Sequence, residues 1–209
     1  MTTRTLTRRA ALVAVTGVAS VVLAACGGDG GDHAGHGASA STSASATATA
    51  HNAQDVAFAQ GMIPHHQQAL EMARLADGRA SSARVKDLAA RIEKAQDPEI
   101  RTMTGWLKAW GEQVPMAGMD HSGHAGMSGM MSDDDMAALE KATGKDFDTK
   151  FLSLMVEHHK GAVEMATTEK GKGRYSPAKG MADDIVGAQN AEIEEMKQLL
   201  GKGGSRNRG

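Results

Sequence analysis

The chain has 209 residues, a net charge of −2 and only 3% aromatic residues, so its charge balance offers nothing to a nucleic-acid partner. Glycine is abundant at 25 residues and there is a single cysteine, which excludes a disulfide framework and predicts a helical, Ala-rich ordered part beside unpacked segments. Fourteen methionines are more than the core positions of a domain this size demand.

The N-terminus has the form of an export signal. Arg4, Arg8 and Arg9 make a basic region, and Ala10 to Leu23 an apolar stretch short for a permanent span. Leu23-Ala24-Ala25-Cys26 resembles the bacterial lipobox, so residues 1–25 are expected to be a lipoprotein signal peptide with Cys26 as the lipidation site. The Arg8-Arg9 pair has a loose likeness to a twin-arginine signal. Lipidation at Cys26 would leave no free thiol for catalysis or metal. Residues 26–52 are mostly Gly, Ser, Ala and Thr, with His33, His36 and His51, and predict a disordered tether with too little apolar surface to offset its ordering entropy.

Helical periodicity begins near Ala53, where Phe58, Met62, His65, His66, Ala69, Met72 and Ala73 share one face, and breaks at Asp77-Gly78. Val85, Leu88, Ile92, Ala95, Ile100, Met103 and Leu107 make the stripe of a second helix ending near Trp110-Gly111. Residues 113–132 read as a Met/His-rich loop. Ser132, followed by three aspartates at the positive end of the helix dipole, opens a short helix that stops at Thr143-Gly144. A long helix from about Asp146 to Thr168, a turn at Gly171-Lys172-Gly173 and a last helix from about Pro177 to Leu200 complete the domain, 53–201. Residues 202–209 are expected to be a disordered tail.

An internal repeat organises this domain. Phe58-x3-Met62-x2-His65-His66-x2-Ala69-x-Glu71-Met72-Ala73 returns, 93 residues on, as Phe151-x3-Met155-x2-His158-His159-x2-Ala162-x-Glu164-Met165-Ala166. The same shift carries Ile92, Gln96, Glu99, Ile100 and Met103 onto Ile185, Gln189, Glu192, Ile193 and Met196. Amphipathic helices match by chance in apolar class, not in a His-His pair, a Gln and a Glu. Hairpin one (53–110) and hairpin two (146–201) are therefore duplicates. Burying their stripes against each other predicts an all-α four-helix bundle, with the short helix in the central connection.

The repeated polar residues lie beside the apolar stripes. Consecutive helix positions differ by 100°, so His65 and His66 straddle the axis set by Met62 and Ala69, as His158 and His159 do beside Met155. Buried imidazoles and carboxylates must pair with one another or hold something. Two readings follow: a polar network that sets bundle register, or metal ligation by Met62, His65, His66, Met72, Glu99 and Met103 with Met155, His158, His159, Met165, Glu192 and Met196. Pro64 either kinks the first helix or marks its start, and Glu157 takes its place in the second copy. The loop adds Met116, Met119, His121, His124, Met127, Met130 and Met131, a potential ligand at nearly every third residue among poor helix formers. Thioether with imidazole favours copper, Met suiting Cu(I) and His either state, ahead of zinc, other divalent metals, magnesium or calcium.

The doubled Met-x2-His-His element and the Gln-x2-Glu-Ile-x2-Met signatures at Gln96 and Gln189 resemble the domain-of-unknown-function family 305, over about residues 53–201. The resemblance implies a ferritin-like four-helix bundle and the handling of metal, particularly copper, outside the cytoplasm. Ferritin-type di-iron sites use Glu-x2-His, whereas Met62 and Met155 stand before His65 and His158, and thioether suits a hard iron pair poorly.

The expected function is binding, not catalysis: a lipoprotein on the outer face of the membrane that sequesters or passes copper, to or from copper-exporting or copper-receiving proteins, with a homo-oligomer as a further option. The alternatives are a metal-dependent oxidase of Cu(I) and a structural helical domain whose buried histidines hold no metal. Nothing in the chain has the pattern of a Ser-His-Asp hydrolase, a phosphate-binding Gly loop or a basic stripe.

Overall fold

The computed structural model describes residues 50–116 and 128–205, with side chains to 201. The signal peptide, Cys26, His33, His36 and loop residues Met119, His121, His124 and Met127 lie outside the described residues. Five helices follow in order: α1 (Ala53–Arg79), α2 (Ala83–Trp110), α3 (Asp133–Lys141), α4 (Gly144–Lys172) and α5 (Ser176–Ser205). α1 with α2 and α4 with α5 form the two hairpins, which meet chiefly through α1 and α4. The all-α bundle of two duplicated hairpins with a short extra helix is thus the observed architecture. None of the described helices is long and apolar enough to cross a membrane.

Helix starts follow local chemistry. The Asn52 side chain accepts from the amides of Gln54 and Asp55 while Asp55 reaches back to the Asn52 amide, and Ser132 with Asp135 repeats the device on α3. His51 stacks on Trp110 at a centroid distance of 4.4 Å, so the last residues of the expected tether pack on the bundle. α2 closes on Gly111 at φ 74°, a left-handed cap that favours glycine.

Several boundaries differ from expectation. α1 runs on through Asp77-Gly78 to Arg79, because Gly78 faces open space and nothing forces a break there. It also runs unbroken through Pro64, which neither starts the helix nor interrupts its assigned span. α4 begins earlier and ends later than its stripe, and α5 continues to Ser205, into the stretch expected to fray.

The helix ends are set by contacts between hairpins. Asp55 on α1 accepts from the amides of Arg174 and Tyr175 at 3.0 and 2.9 Å, just before α5. Asp148 on α4 accepts from the amides of Ser81 and Ser82 at 3.1 and 3.0 Å, just before α2. These pairs coincide under the 93-residue shift. Each hairpin therefore helps to cap the second helix of the other, Asp148 holding the amide of the N-cap Ser82 itself, whose own side chain makes no capping bond.

Apolar side chains gather in two clusters. One contains Met72, Leu88, Ile92, Leu139, Phe147, Phe151, Met155 and Met196. The other contains Phe58, Met62, Met103, Leu107, Ala162, Ala182 and Ile185. Shift-related residues fall in opposite clusters: Phe58 and Phe151, Met62 and Met155, Met103 and Met196. The duplication is therefore a pseudo-twofold that exchanges the two apolar clusters, and polar residues accompany both.

Candidate metal centre

The four histidines of the repeat are buried, each at most 1% exposed. His65 and His158, equivalent under the shift, meet where α1 and α4 cross, with ring centroids 3.8 Å apart and planes tilted by 42°. Neither nitrogen of either ring makes a hydrogen bond of normal geometry among the described residues, although the Ser128 backbone lies near enough to His65 to favour its protonated form slightly. His66 and His159 flank them. The Nε2 of His66 lies 2.8 Å from Glu99 Oε2, and the Nε2 of His159 lies 2.7 Å from Glu192 Oε2. Their Nδ1 atoms are unpartnered, as are the side-chain oxygens of Gln96 and Gln189.

Burial, reinforced by His66 and His159, lowers the His65 pKa to about 3, against the opposing influence of the Ser128 backbone. Burial also holds His158 well below the usual imidazole value, with His65 and His159 adding to it. Both rings are neutral at pH 7, so lone pairs are available without displacing a proton. An unpartnered buried polar group costs about 1–3 kcal/mol, and here several occur together at symmetric positions. Such a concentration of unpaired lone pairs at symmetric positions is suited to holding a ligand.

The methionines divide. Met62 and Met155, one turn before the His pairs, are fully buried in opposite apolar clusters, as are Met103 and Met196. Met72 is sealed in the core, whereas its counterpart Met165 is only partly buried. Of the loop residues, Met116 is 62% exposed, Met130 is half-buried, and Met131 packs against the core with its backbone held by Gln68 at 2.7 and 3.0 Å. Among the described residues no three His, Cys, Asp or Glu side chains form a group that could hold a metal ion. The donors brought together are instead an imidazole pair, with thioethers one helical turn away and carboxylates already engaged by the outer imidazoles. That set fits a soft ion better than a hard or tetrahedral one.

Sequence reasoning missed four features. Gly161 is buried, and a Cβ there would lie 2.0 Å from the Ser128 carbonyl oxygen, so its missing side chain lets the returning chain cross α4. Gly129 (φ 82°) would likewise press any side chain onto the backbone of Glu157, His158 and Gly161. Asp55 and Asp148 already repeat at the 93-residue shift, a signal that was available. Glu169 is buried beside Asp55, and burial, followed by its hydrogen bonding to the Asp55 carboxylate, pushes its pKa up to about 8. Its counterpart in the first hairpin is Ala76, so the repeat could not flag it.

The bundle and its paired histidines define a class of duplicated helical-hairpin proteins. Residues 55–200 match the family described as Domain of unknown function (DUF305), and the chain belongs to that family. It is similar to a DUF305 protein from Streptomyces coelicolor, described as secreted, at 32% identity and a TM-score of 0.65, covering 76% of this chain and 96% of that one. It is also similar to CopM in its Cu(II)-bound form, at 36% identity and a TM-score of 0.62, covering 71% of this chain and 96% of that chain. The Cu(I)-bound form of CopM matches at 34% identity and a TM-score of 0.59, over 71% and 96% of the two chains. No curated protein matches.

Proposed function

We propose that this protein binds copper outside the cytoplasm, sequestering or passing the ion rather than transforming it. The observation that carries the reading is the His65–His158 contact, two neutral buried imidazoles with all four nitrogens unpartnered. Met62 and Met155 supply thioethers, a combination that suits Cu(I) and accommodates Cu(II) through nitrogen. Glu99 and Glu192 serve as positioning residues: each accepts from Nε2–H, which leaves the Nδ1 lone pair of His66 or His159 free for a metal. The Cu(I)- and Cu(II)-bound forms of CopM, a relative of similar fold, support copper as the ion. The Leu23 to Cys26 motif supports export and lipid anchoring.

The test is competition of the chain from Gly27 onward against chelators of known strength, with Cu(I), Cu(II) and Zn(II). Stoichiometric Cu(I) binding is expected, with the tight component lost in a His65→Ala/His158→Ala variant. Unchanged stoichiometry and affinity in that variant would refute the site. An oxidase acting on Cu(I) is the second reading, favoured by carboxylates held against two of the imidazoles; it predicts oxygen consumption during Cu(I) turnover.

A further inference from the structure

The pseudo-twofold is broken on one face. On the α3 side, Leu139 of α3 is fully buried in the cluster that holds Met72, Phe147 and Phe151, and Met136 packs against the same cluster beside Leu75. The 93-residue shift carries Phe147, Phe151, Met72 and Leu75 onto Gln54, Phe58, Met165 and Thr168. These four residues line a cleft of about 180 Å³. No helix among the described residues lies there as α3 lies on the first face. Gln54 and Thr168 stand where an aromatic and a leucine complete the covered face, so the second face lacks the apolar surface that would recruit a helix. Met72 is sealed at 0% exposure, while Met165 remains partly exposed.

The cleft also adjoins the histidine pair. Ser128 lines it, its carbonyl lies against Gly161, one turn from His158, and the next residue, Gly129, lies against the backbone of His158 itself. Met165 packs onto the cluster containing Phe58, Met62 and Ala162, so thioether and apolar contact continue from the cleft towards the rings. Along α4, Met165 is two turns from His158, roughly 10 Å. An ion bound to fully buried imidazoles must cross protein, and it must shed water as it does so. A partly exposed thioether offers a soft ion a ligand in exchange. Glu164 at the rim adds a charge that favours cations.

We propose that this cleft is the route by which a soft monovalent ion, Cu(I) or Ag(I), reaches the His65–His158 pair, with Met165 as the first thioether it meets. The proposal rests on the reading of that pair as a metal site. The covered face has a groove of its own, lined by Gln68, Glu71, Met136 and Glu140, but Met72, the counterpart of Met165, is sealed beneath it, so the two faces differ in the thioether they present and loading is one-sided.

The experiment follows the rate of Cu(I) transfer from a chelator complex to the full chain by stopped flow, with equilibrium affinity measured in parallel. Ala57→Trp fills the cleft from an exposed position on α1, and Met165→Leu removes the thioether while keeping the shape. Ala137→Trp on α3, in the groove of the covered face, is the control. Both cleft variants are expected to load about tenfold or more slowly with affinity changed by less than about threefold, because a route sets rate and not equilibrium. The control should load like the unsubstituted chain. Unslowed loading in both cleft variants, with tight binding retained, overturns the route. So does an affinity loss in Met165→Leu that matches its rate loss, which would make Met165 a ligand of the bound state. Absence of tight Cu(I) binding by the unsubstituted chain would instead overturn the histidine site, and the route with it.

Discussion

A buried histidine with no partner is a liability that becomes visible in acid. In the unfolded chain His65 titrates near 6.5, whereas in the fold its pKa is lowered to about 3 by burial and by the neighbouring imidazoles. Between those values the unfolded chain binds a proton that the folded chain refuses. Stability contributed by the neutral ring is therefore present above about pH 6.5 and is lost as pH falls towards 3. His158, lowered in the same direction, steepens the loss. Denaturant midpoints measured from pH 6.5 to 4.5 should fall, and a His65→Leu/His158→Leu variant should lose that fall. An equal slope in both proteins would mean that other groups govern acid unfolding.

At the scale of elements, what the sequence makes legible is the repeat and what hides is anything that depends on the other hairpin. The helices, their order and the inward lean of both His pairs could be read because each is a local periodicity printed twice. The C-terminal end of α1 and the start of α2 could not, since the amides of Ser81 and Ser82 are held by Asp148, 67 and 66 residues away. The repeat gives no sign of Gly161, whose counterpart is Gln68, and only the crossing of Ser128 explains it. Asp148→Ala removes the acceptor of both amides and of the Ser81 hydroxyl, and should cost about 1–2 kcal/mol, the usual worth of a helix N-cap. Denaturant unfolding measures this; a variant as stable as the parent would show that the amides find solvent at no cost. Gly161→Ala should also destabilise, although alanine is the better helix former by about 1 kcal/mol, because the methyl meets backbone rather than a mobile side chain.

Over the whole molecule, departures from twofold symmetry matter more than the symmetry itself. α3 covers one face and leaves the other as a cleft, and Glu169 stands where the first hairpin has Ala76. The second asymmetry opposes the acid behaviour of the histidines. Glu169 has its pKa raised from 4.5 to about 8, first by burial and then by Asp55. As pH rises through this interval the unfolded chain releases a proton that the folded chain retains, so stability declines from 4.5 up to about 8 and then levels off. Between pH 4.5 and 6.5 two histidines outweigh one carboxyl and stability still rises. Above 6.5 the histidines no longer contribute a slope and Glu169 alone remains. The apo protein should therefore be most stable near pH 6.5, with unfolding temperature falling on both sides. Glu169→Gln should abolish the alkaline fall while leaving the acid one intact, with about 2–4 °C gained near pH 8 for each kcal/mol recovered in a domain of this size. A thermal scan series from pH 4 to 9 on the two proteins decides it, and an alkaline fall that survives in Glu169→Gln would place its origin outside the Asp55–Glu169 pair.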